Sequence, residues 1–520
     1  LDSGASEHSF FADLLYLEGC KPENCYFIMG THPGVPFFIT HFSCGSRERM
    51  NEDKSNGSGY HRYHIDTETA PDVEKWPSRF NVRVAKVGLA KFLIEEFIHT
   101  HGNIPVMMSR PCMYGVFSGP VGGFAPRTQH CVGCLRCTTE YPDMIQVSHN
   151  PQRRKLGDDY FTFDIVNAVT YEAETGLIPV RGAGYRGKFG GEGWDGMWTD
   201  MSEIVRPTRD GIHGREYIST VVDVGSRPNF LVFDAHGGSV GESPHTLQIE
   251  LPILFDAPPT SLASEALWKI IAQTASEIQS LAVLPLSVVL KHGLAGDHVA
   301  PLVKPGDEDD LALLSLPPRL VEMDGWDKAL YTKLVHLFPD ALICLRLPFP
   351  SKKTLLEYYA EGIRVFHLLA DYHGRDPEGR FVIDLIRRAH QAFVNAGLRQ
   401  EVTLLGSGGM IAAEHIPKGI LCGLDAVAID TAALVALQAR FQGRCADRET
   451  SRFTLPDKLT VSWGVQRLKN LTASWRDQML EILGAMGLRE VRRLRGEMGR
   501  TMFMADLEKT AFAGVSNYGI

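Results

Sequence analysis

The chain has 520 residues, 44% of them hydrophobic and 22% charged, with a formal net charge of −9. These values exclude a disordered or coiled-coil chain, and the mild acidity gives no reason to expect nucleic acid or a membrane surface as a partner. The length exceeds one ordinary core, so two or three domains are expected, and no apolar run reaches the roughly 18 to 20 residues of a membrane-spanning helix.

Residues 1–110 read as a mixed α+β region whose role the sequence does not disclose. Within it Arg47 to Tyr60 is a polar, turn-rich stretch expected as an exposed loop. Ala85, Leu89, Phe92, Leu93 and Phe97 recur at helical spacing and predict a helix over Ala85 to Phe97. Residues 111–180 hold a cysteine cluster in a ferredoxin-like setting. Residues 181–245 are too rich in Gly and charge for a packed element and are expected as a linker. The two tryptophans Trp194 and Trp198 among its glycines either shield a cofactor or anchor an interdomain loop.

From 246 to 445 short apolar runs recur: 252–257, 282–290, 298–303, 318–323, 341–347, 364–370, 402–406 and 426–430. Helical patterns at 262–280, 326–337, 353–361, 382–396 and 412–421 separate several of them. Continuous apolar strands alternating with helices mark a parallel sheet buried on both faces. Eight such runs predict an α/β fold, a closed (β/α)8 barrel of the TIM type, with a doubly wound open sheet as the alternative. Residues 446–520 turn helical, with Val461, Val465, Leu468, Leu471, Trp475, Met479, Leu480 and Leu483 along one stripe. The basic group Arg489, Arg492, Arg493 and Arg495 near its end is expected as a solvated face or a subunit contact.

Ten cysteines are present, three of them within seven residues: Cys131-Val-Gly-Cys134-Leu-Arg-Cys137, followed by Tyr141-Pro142. That crowding points to a metal site in a reducing compartment, and hence to the cytoplasm. Ferredoxins place thiolates two residues apart to wrap a cluster, and their fourth cysteine precedes a proline. Tyr141 stands in its place here, so Cys112 is the candidate fourth ligand of a 4Fe-4S cluster, with Cys20, Cys25 and Cys44 behind it. A 3Fe-4S cluster on three thiolates, a zinc site and an empty motif are the alternatives.

The segment Gly406-Ser407-Gly408-Gly409-Met410 ends the seventh predicted strand, and Asp430-Thr431 ends the eighth. Small residues at a strand end let backbone amides approach a phosphate, and phosphate-binding barrels use the loops after strands seven and eight. Asp256, Glu322, Asp371 and His373 fall near C-terminal ends of predicted strands, where barrel active sites lie. Each is also explicable as a cap, a loop hydrogen bond or a salt bridge.

Several segments resemble the synthase part of the glutamate synthase family, in its archaeal-type large-subunit form. They are GSGGM with Gly423-Leu-Asp-Ala-Val-Ala-Ile-Asp430-Thr-Ala-Ala-Leu434, Tyr171-Glu-Ala-Glu174-Thr175-Gly176, Glu203-Ile-Val-Arg206-Pro207, Leu251-Pro-Ile-Leu-Phe-Asp256-Ala257-Pro258, and Trp475-Arg-Asp-Gln with Ile482 to Gly487. The resemblance implies FMN at the barrel mouth, contacted by Ala257, Arg346, Gly406, Ser407, Gly408, Gly409, Asp430 and Thr431, and an iron-sulfur cluster wired to it. It implies reduction of the imine of 2-oxoglutarate to glutamate, with Arg346 standing where the family has a lysine; Glu322 and Asp371, from their strand-end positions, are further catalytic candidates. Electrons are expected from ferredoxin or a donor subunit, since no pyridine-nucleotide fingerprint is visible, and a separate glutaminase subunit and an oligomer or larger complex are expected partners. The chain departs from the family in lacking its loops near 282–300 and before the fifth strand, and in reducing a cysteine-rich segment after the last strand to Cys445. Those departures support a competing expectation: a non-catalytic subunit that scaffolds or relays electrons in a larger complex.

Overall fold

A computed structural model describes residues 63–74, 76–109, 111–179, 192–199, 218–227, 232–240, 245–259, 261–262 and 264–510. All belong to one compact unit beginning at Tyr63. The expected loop at 47–60, the cysteines at 20, 25 and 44, and the segment at 203–207 lie outside the described residues.

Eight parallel strands close into a barrel. They are β1 (Ile253–Phe255), β2 (Ala282–Pro285), β3 (Val299–Val303), β4 (Leu320–Asp324), β5 (Leu342–Pro348), β6 (Val365–Leu369), β7 (Thr403–Ser407) and β8 (Ala426–Ile429). Closure is made by β8 against β1, with Val427 opposite Ile253 and Ile429 opposite Phe255. Every residue of β3, β7 and β8 is buried, as expected of strands covered on both faces. The second apolar run divides, however: its strand stops at Pro285 and Leu286–His292 is a helix burying Leu286 and Val289. Proline fixes the helix entry and has no N–H to extend the ladder, so an unbroken apolar run holds two elements. Between β3 and β4 the connection has only a 3-10 turn, Asp310–Leu313, with Leu311 buried.

The Gly-rich region expected as a linker contains ordered structure. Val222–Gly225 pairs antiparallel with Thr246–Ile249, and the hydroxyl of Thr403, at the start of β7, donates to the Gly225 carbonyl (2.8 Å) and accepts from its amide (2.9 Å). This ribbon therefore abuts the N-terminal end of the barrel and leaves the C-terminal mouth for chemistry. Met197–Thr199 pairs with Thr501–Phe503 near the end of the described chain.

A second, smaller core draws on both sides of the boundary expected at residue 110. Strands Phe80–Val84 and Ile145–His149 pair antiparallel, and helix Lys86–His99 sends Leu89 and Phe92 inward. They pack with Met107, Val116, Phe117, Cys131, Cys137 and Met144. The expected stripe is realised only in part, because Phe97 is 56% exposed.

The C-terminal stripe lies on a 25-residue helix, Val461–Ala485, which buries Val465, Leu468, Leu471, Trp475, Met479, Leu480 and Leu483. It packs against helices Glu265–Glu277 and Phe163–Thr175. Trp475 Nε1 donates to Glu172 Oε2 at 2.8 Å, and Asn470 Nδ2 donates to the carbonyls of Glu68 and Ala173 at 2.7 and 2.9 Å. The helix thus joins the entry segment to the barrel's outer layer. Among the described residues no helix is long and apolar enough to cross a membrane.

Candidate functional site

Cys112, Cys131, Cys134 and Cys137 line one small cavity, walled by Val82, Tyr114, Val116 and Phe117. All four are free thiols. The turn that brings them together runs through two left-handed residues, Gly133 (φ 74°) and Leu135 (φ 57°). The Gly133 position has no space for a side chain, since a Cβ would lie 2.3 Å from the Phe80 ring. Burial pushes the Cys131 thiol up to about 11 and that of Cys137 up to about 12, while backbone N–H groups of Gly133 and Thr138 act in the opposite sense on them. Tyr141 does not join the cavity and packs edge-on against Phe92 at 5.1 Å. Among the described residues no three cysteine sulfurs lie within 4.8 Å of one another.

The barrel interior is charged. Arg346 on β5 donates through Nη1 to Asp256 Oδ1 (2.6 Å) and Glu322 Oε2 (3.2 Å). His367 on β6 lies with Nδ1 2.8 Å from Glu322 Oε1 and 3.2 Å from Arg346 Nη1. The carboxylate contact is the shorter, which places the proton on Nδ1. His367 Nε2 is buried with no partner. Burial pushes the Asp256 carboxyl up, but Arg346, His367 and Arg448 more than offset this and hold it well below the usual carboxylate range. Burial alone would lower Arg346, and Asp256 and Glu322 reverse that, raising it.

Arg448, which no motif announces, reaches across the mouth. Its Nη1 donates to Asp256 Oδ2 (3.0 Å), its Nη2 to Ser407 Oγ (2.9 Å) and Asp430 Oδ2 (2.8 Å), and its Nε to the Ala370 carbonyl (2.7 Å). It therefore touches the ends of β1, β6, β7 and β8. The neighbouring turn sets its position: Asp447 Oδ1 accepts from the Glu449 and Thr450 amides, and the Ala446 carbonyl accepts from Tyr372 N at 2.7 Å. Asp430 also accepts from the amide and hydroxyl of Thr431, and burial pushes its carboxyl up, with Arg448 opposing.

Gly408 and Gly409 both have left-handed φ, 98° and 73°. A Cβ on Gly408 would lie 2.5 Å from the Asp371 carbonyl, so the turn is pressed against the loop after β6. The Gly409 carbonyl accepts from Tyr160 Oη (2.7 Å) and Trp194 Nε1 (2.9 Å), and Trp194 stacks on His415 at 5.2 Å. Trp194 thereby anchors the Gly-rich segment onto the glycine turn. The N–H groups of Gly408, Gly409 and Met410 meet no acceptor among the described residues.

Of the residues singled out from the sequence, Asp256, Glu322, Arg346, Ser407 and Asp430 come together at the mouth, with Thr431 beside Asp430 and the Ala257 amide donating to Asp256 Oδ1 at 2.7 Å. Gly406 lies within β7, opposite Val427 of β8. Asp371 stands apart, its Oδ1 accepting from the Arg375 amide at 2.7 Å. His373 pairs with Asp158 at 2.9 Å, and the other Asp158 contacts are the amides of Tyr160, Phe161 and Cys445. Arg448 and His367 were missed. Their residue types carry no signal until the strands that bring them together are closed.

The fold and the site define a parallel β/α barrel with a charged C-terminal mouth and an attached cysteine-bearing α+β module. The family model described as the conserved region in glutamate synthase matches residues 370–489, which include β7, β8, Arg448 and the long helix. The chain is 24% identical over 436 residues to the archaeal-type glutamate synthase (NADPH) of Dehalococcoides mccartyi, covering 71% of this chain and 86% of that protein. It is 31% identical over 204 residues to the archaeal glutamate synthase (NADPH) of Methanocaldococcus jannaschii, covering 37% of this chain and 38% of the relative. Among solved structures, the flavin-binding domain of baker's yeast flavocytochrome b2 is similar at 11% identity and a TM-score of 0.36, over 56% of this chain and 75% of that one, a likeness too remote to bear on chemistry. The chain is thus similar to glutamate synthases, through the family's conserved region at residues 370–489 and, at 24% identity, over most of the length of an archaeal-type relative.

Proposed function

We propose that the chain is a glutamate-synthase-like oxidoreductase that carries an iron-sulfur cluster on Cys112, Cys131, Cys134 and Cys137 and FMN at the C-terminal mouth of its barrel. The observation that carries this reading is the gathering of four free cysteines from two separate segments around one cavity. The C-x2-C-x2-C spacing and the largely apolar walls suit a cluster that must be kept from water. The donors at the mouth fit a flavin phosphate: three unpaired consecutive amides at 408–410, the Ser407 hydroxyl and a guanidinium.

When bound, the flavin supplies the hydride chemistry and the cluster the one-electron exchange. The chain's own residues position and polarise. Arg346 spends only Nη1 on protein acceptors, so Nε and Nη2 remain available to an anion or an electron-rich ring, and its charge is fixed by Asp256 and Glu322. Glu322 holds the Nδ1 proton of His367 and so presents Nε2 as the atom able to exchange a proton or accept a hydrogen bond. The substrate proposed from the family resemblance is the imine of 2-oxoglutarate, reduced to glutamate, with electrons delivered by ferredoxin or a partner subunit.

A second reading, a scaffold or electron-relay subunit, is favoured by one observation: Arg346 and Arg448 are both already paired with buried carboxylates. Iron, acid-labile sulfide and releasable FMN in the purified protein separate the two. Both cofactors with glutamate formation support the enzyme, and iron without flavin leaves the relay. Neither cofactor in protein purified without oxygen removes the enzyme and the relay and leaves the scaffold.

A further inference from the structure

Arg448 occupies the place where an anion at the ends of β7 and β8 would be met. Its Nη2 is 2.9 Å from the hydroxyl of Ser407, the residue immediately before the three unpaired amides, and 2.8 Å from Asp430, which ends β8. Resting on the flavin reading above, we propose that Arg448 is the phosphate-binding cation of the flavin site, held in reserve by Asp430 and Asp256, and that FMN seats by exchanging those carboxylates for its phosphate.

Three features support the exchange. A guanidinium fork matches a phosphate in the same two-pronged way as a carboxylate, so the swap replaces like with like. Neither carboxylate is stranded when the arginine turns away: Asp256 keeps Arg346 on its other oxygen, and Asp430 keeps the amide and hydroxyl of Thr431. The arm is also reachable. Its side chain is 19% exposed, it sits on a turn rather than in a strand, and it lies against the face of Tyr372 at 4.8 Å. A buried structural ion pair needs none of this access.

The test compares two flavins that differ only in the phosphate. Flavin-free protein is titrated with FMN and with riboflavin, following flavin fluorescence. The wild type is expected to prefer FMN. Arg448→Ala is expected to weaken FMN roughly 10- to 100-fold, the value of a charge-assisted hydrogen bond or two, while riboflavin is unchanged. Arg448→Lys falls between, and Asp430→Asn, which removes the competing carboxylate, tightens FMN alone. If Arg448→Ala does not fold, the Asp430→Asn variant and the wild-type ratio carry the result. FMN affinity that is unchanged or tighter in Arg448→Ala, equal loss of both flavins, or a wild type that binds both alike overturns the proposal and leaves the flavin reading standing. A wild type that binds neither removes both.

Discussion

Asp256 Oδ1 lies 2.6 Å from Arg346 Nη1 in the barrel interior, where neither side chain is open to solvent beyond a few per cent. The opposite oxygen of Asp256 is held by Arg448 at 3.0 Å, so one carboxylate bridges two cations whose charge Glu322 and Asp430 share. Without the Asp256 charge Arg346 keeps Glu322 and Arg448 keeps Asp430, so the loss is that of the charge-assisted hydrogen bonds to Asp256, about 1.5–3 kcal/mol. Asp256→Asn is therefore expected to lower unfolding stability by that order at pH 7, measured by urea titration. The pH dependence has a definite sign. The native carboxyl is held below its ordinary value of about 4, so its contribution is complete above that pH and is lost only in stronger acid. The gap between wild type and variant is expected to stay constant from pH 8 to about 4 and to narrow below it. A gap that closes between pH 7 and 5 would show that Asp256 is not held ionised by these arginines.

His390 gives an acid sensitivity of the same sign at higher pH, because here it is the neutral form that the fold holds. Burial first, then Arg399 and Arg495, push its imidazole down to about 4, and Arg399 Nε donates to its Nδ1 at 3.0 Å, which requires the neutral ring. The unfolded chain protonates near 6.5 while the native state resists. Stability is thus complete above about pH 6.5 and declines as the pH falls towards 4. His390→Gln is expected to be less stable at pH 7 but to lose this slope, as followed by thermal melts across that range. An unchanged slope in the variant would assign the acid sensitivity elsewhere.

The four cysteines are not expected to be equivalent. Cys131, Cys134 and Cys137 share one turn, whereas Cys112 comes from a separate segment. Serine at any of the first three is expected to abolish iron binding. Cys112→Ser is expected to retain a three-iron cluster, with the iron-to-protein ratio falling from about four to three. Loss of all iron in Cys112→Ser would make the fourth ligand as indispensable as the others, and no change would place it outside the set.

Much of this architecture is written locally. The barrel strands are legible because a strand covered on both faces must be apolar throughout, and the long C-terminal helix because its stripe repeats at helical spacing. The run at 282–290 misleads for the same reason, since an apolar segment buried on all sides has no period to tell strand from helix, and Pro285 alone marks the change. The charged mouth is different. Asp256, Glu322, Arg346, His367 and Asp430 are far apart in sequence and stand as isolated polar residues at apolar strands, while Arg448 is one of several charged residues in the polar stretch 447–452. Adjacent strands bring Glu322, Arg346 and His367 together, but only the closed ring and the turn carrying Arg448 add Asp256 and Asp430 to them. Asp371 shows the converse: its strand-end position suggested chemistry, yet its observed hydrogen bond is to an amide four residues on.

Gly133 tests whether the cysteine module is built from its backbone. The residue holds φ at 74°, a region that costs an L-residue of order 1–3 kcal/mol. A methyl group there would overlap the Phe80 ring, which has Val82 two residues along the same strand in the small core. Neither strain nor overlap can be relieved alone, because turning the peptide to negative φ would re-aim Cys131 and Cys134, while moving Phe80 would disturb the pairing of Phe80–Val84 with Ile145–His149. Gly133→Ala is therefore expected to lower iron occupancy severalfold while leaving the barrel intact, read by iron content against far-UV circular dichroism. Phe80→Ala in the same background removes the overlap but not the backbone strain, so it is expected to restore only part of the iron. Full occupancy in Gly133→Ala would mean that the turn is loose enough to hold its ligands without this glycine.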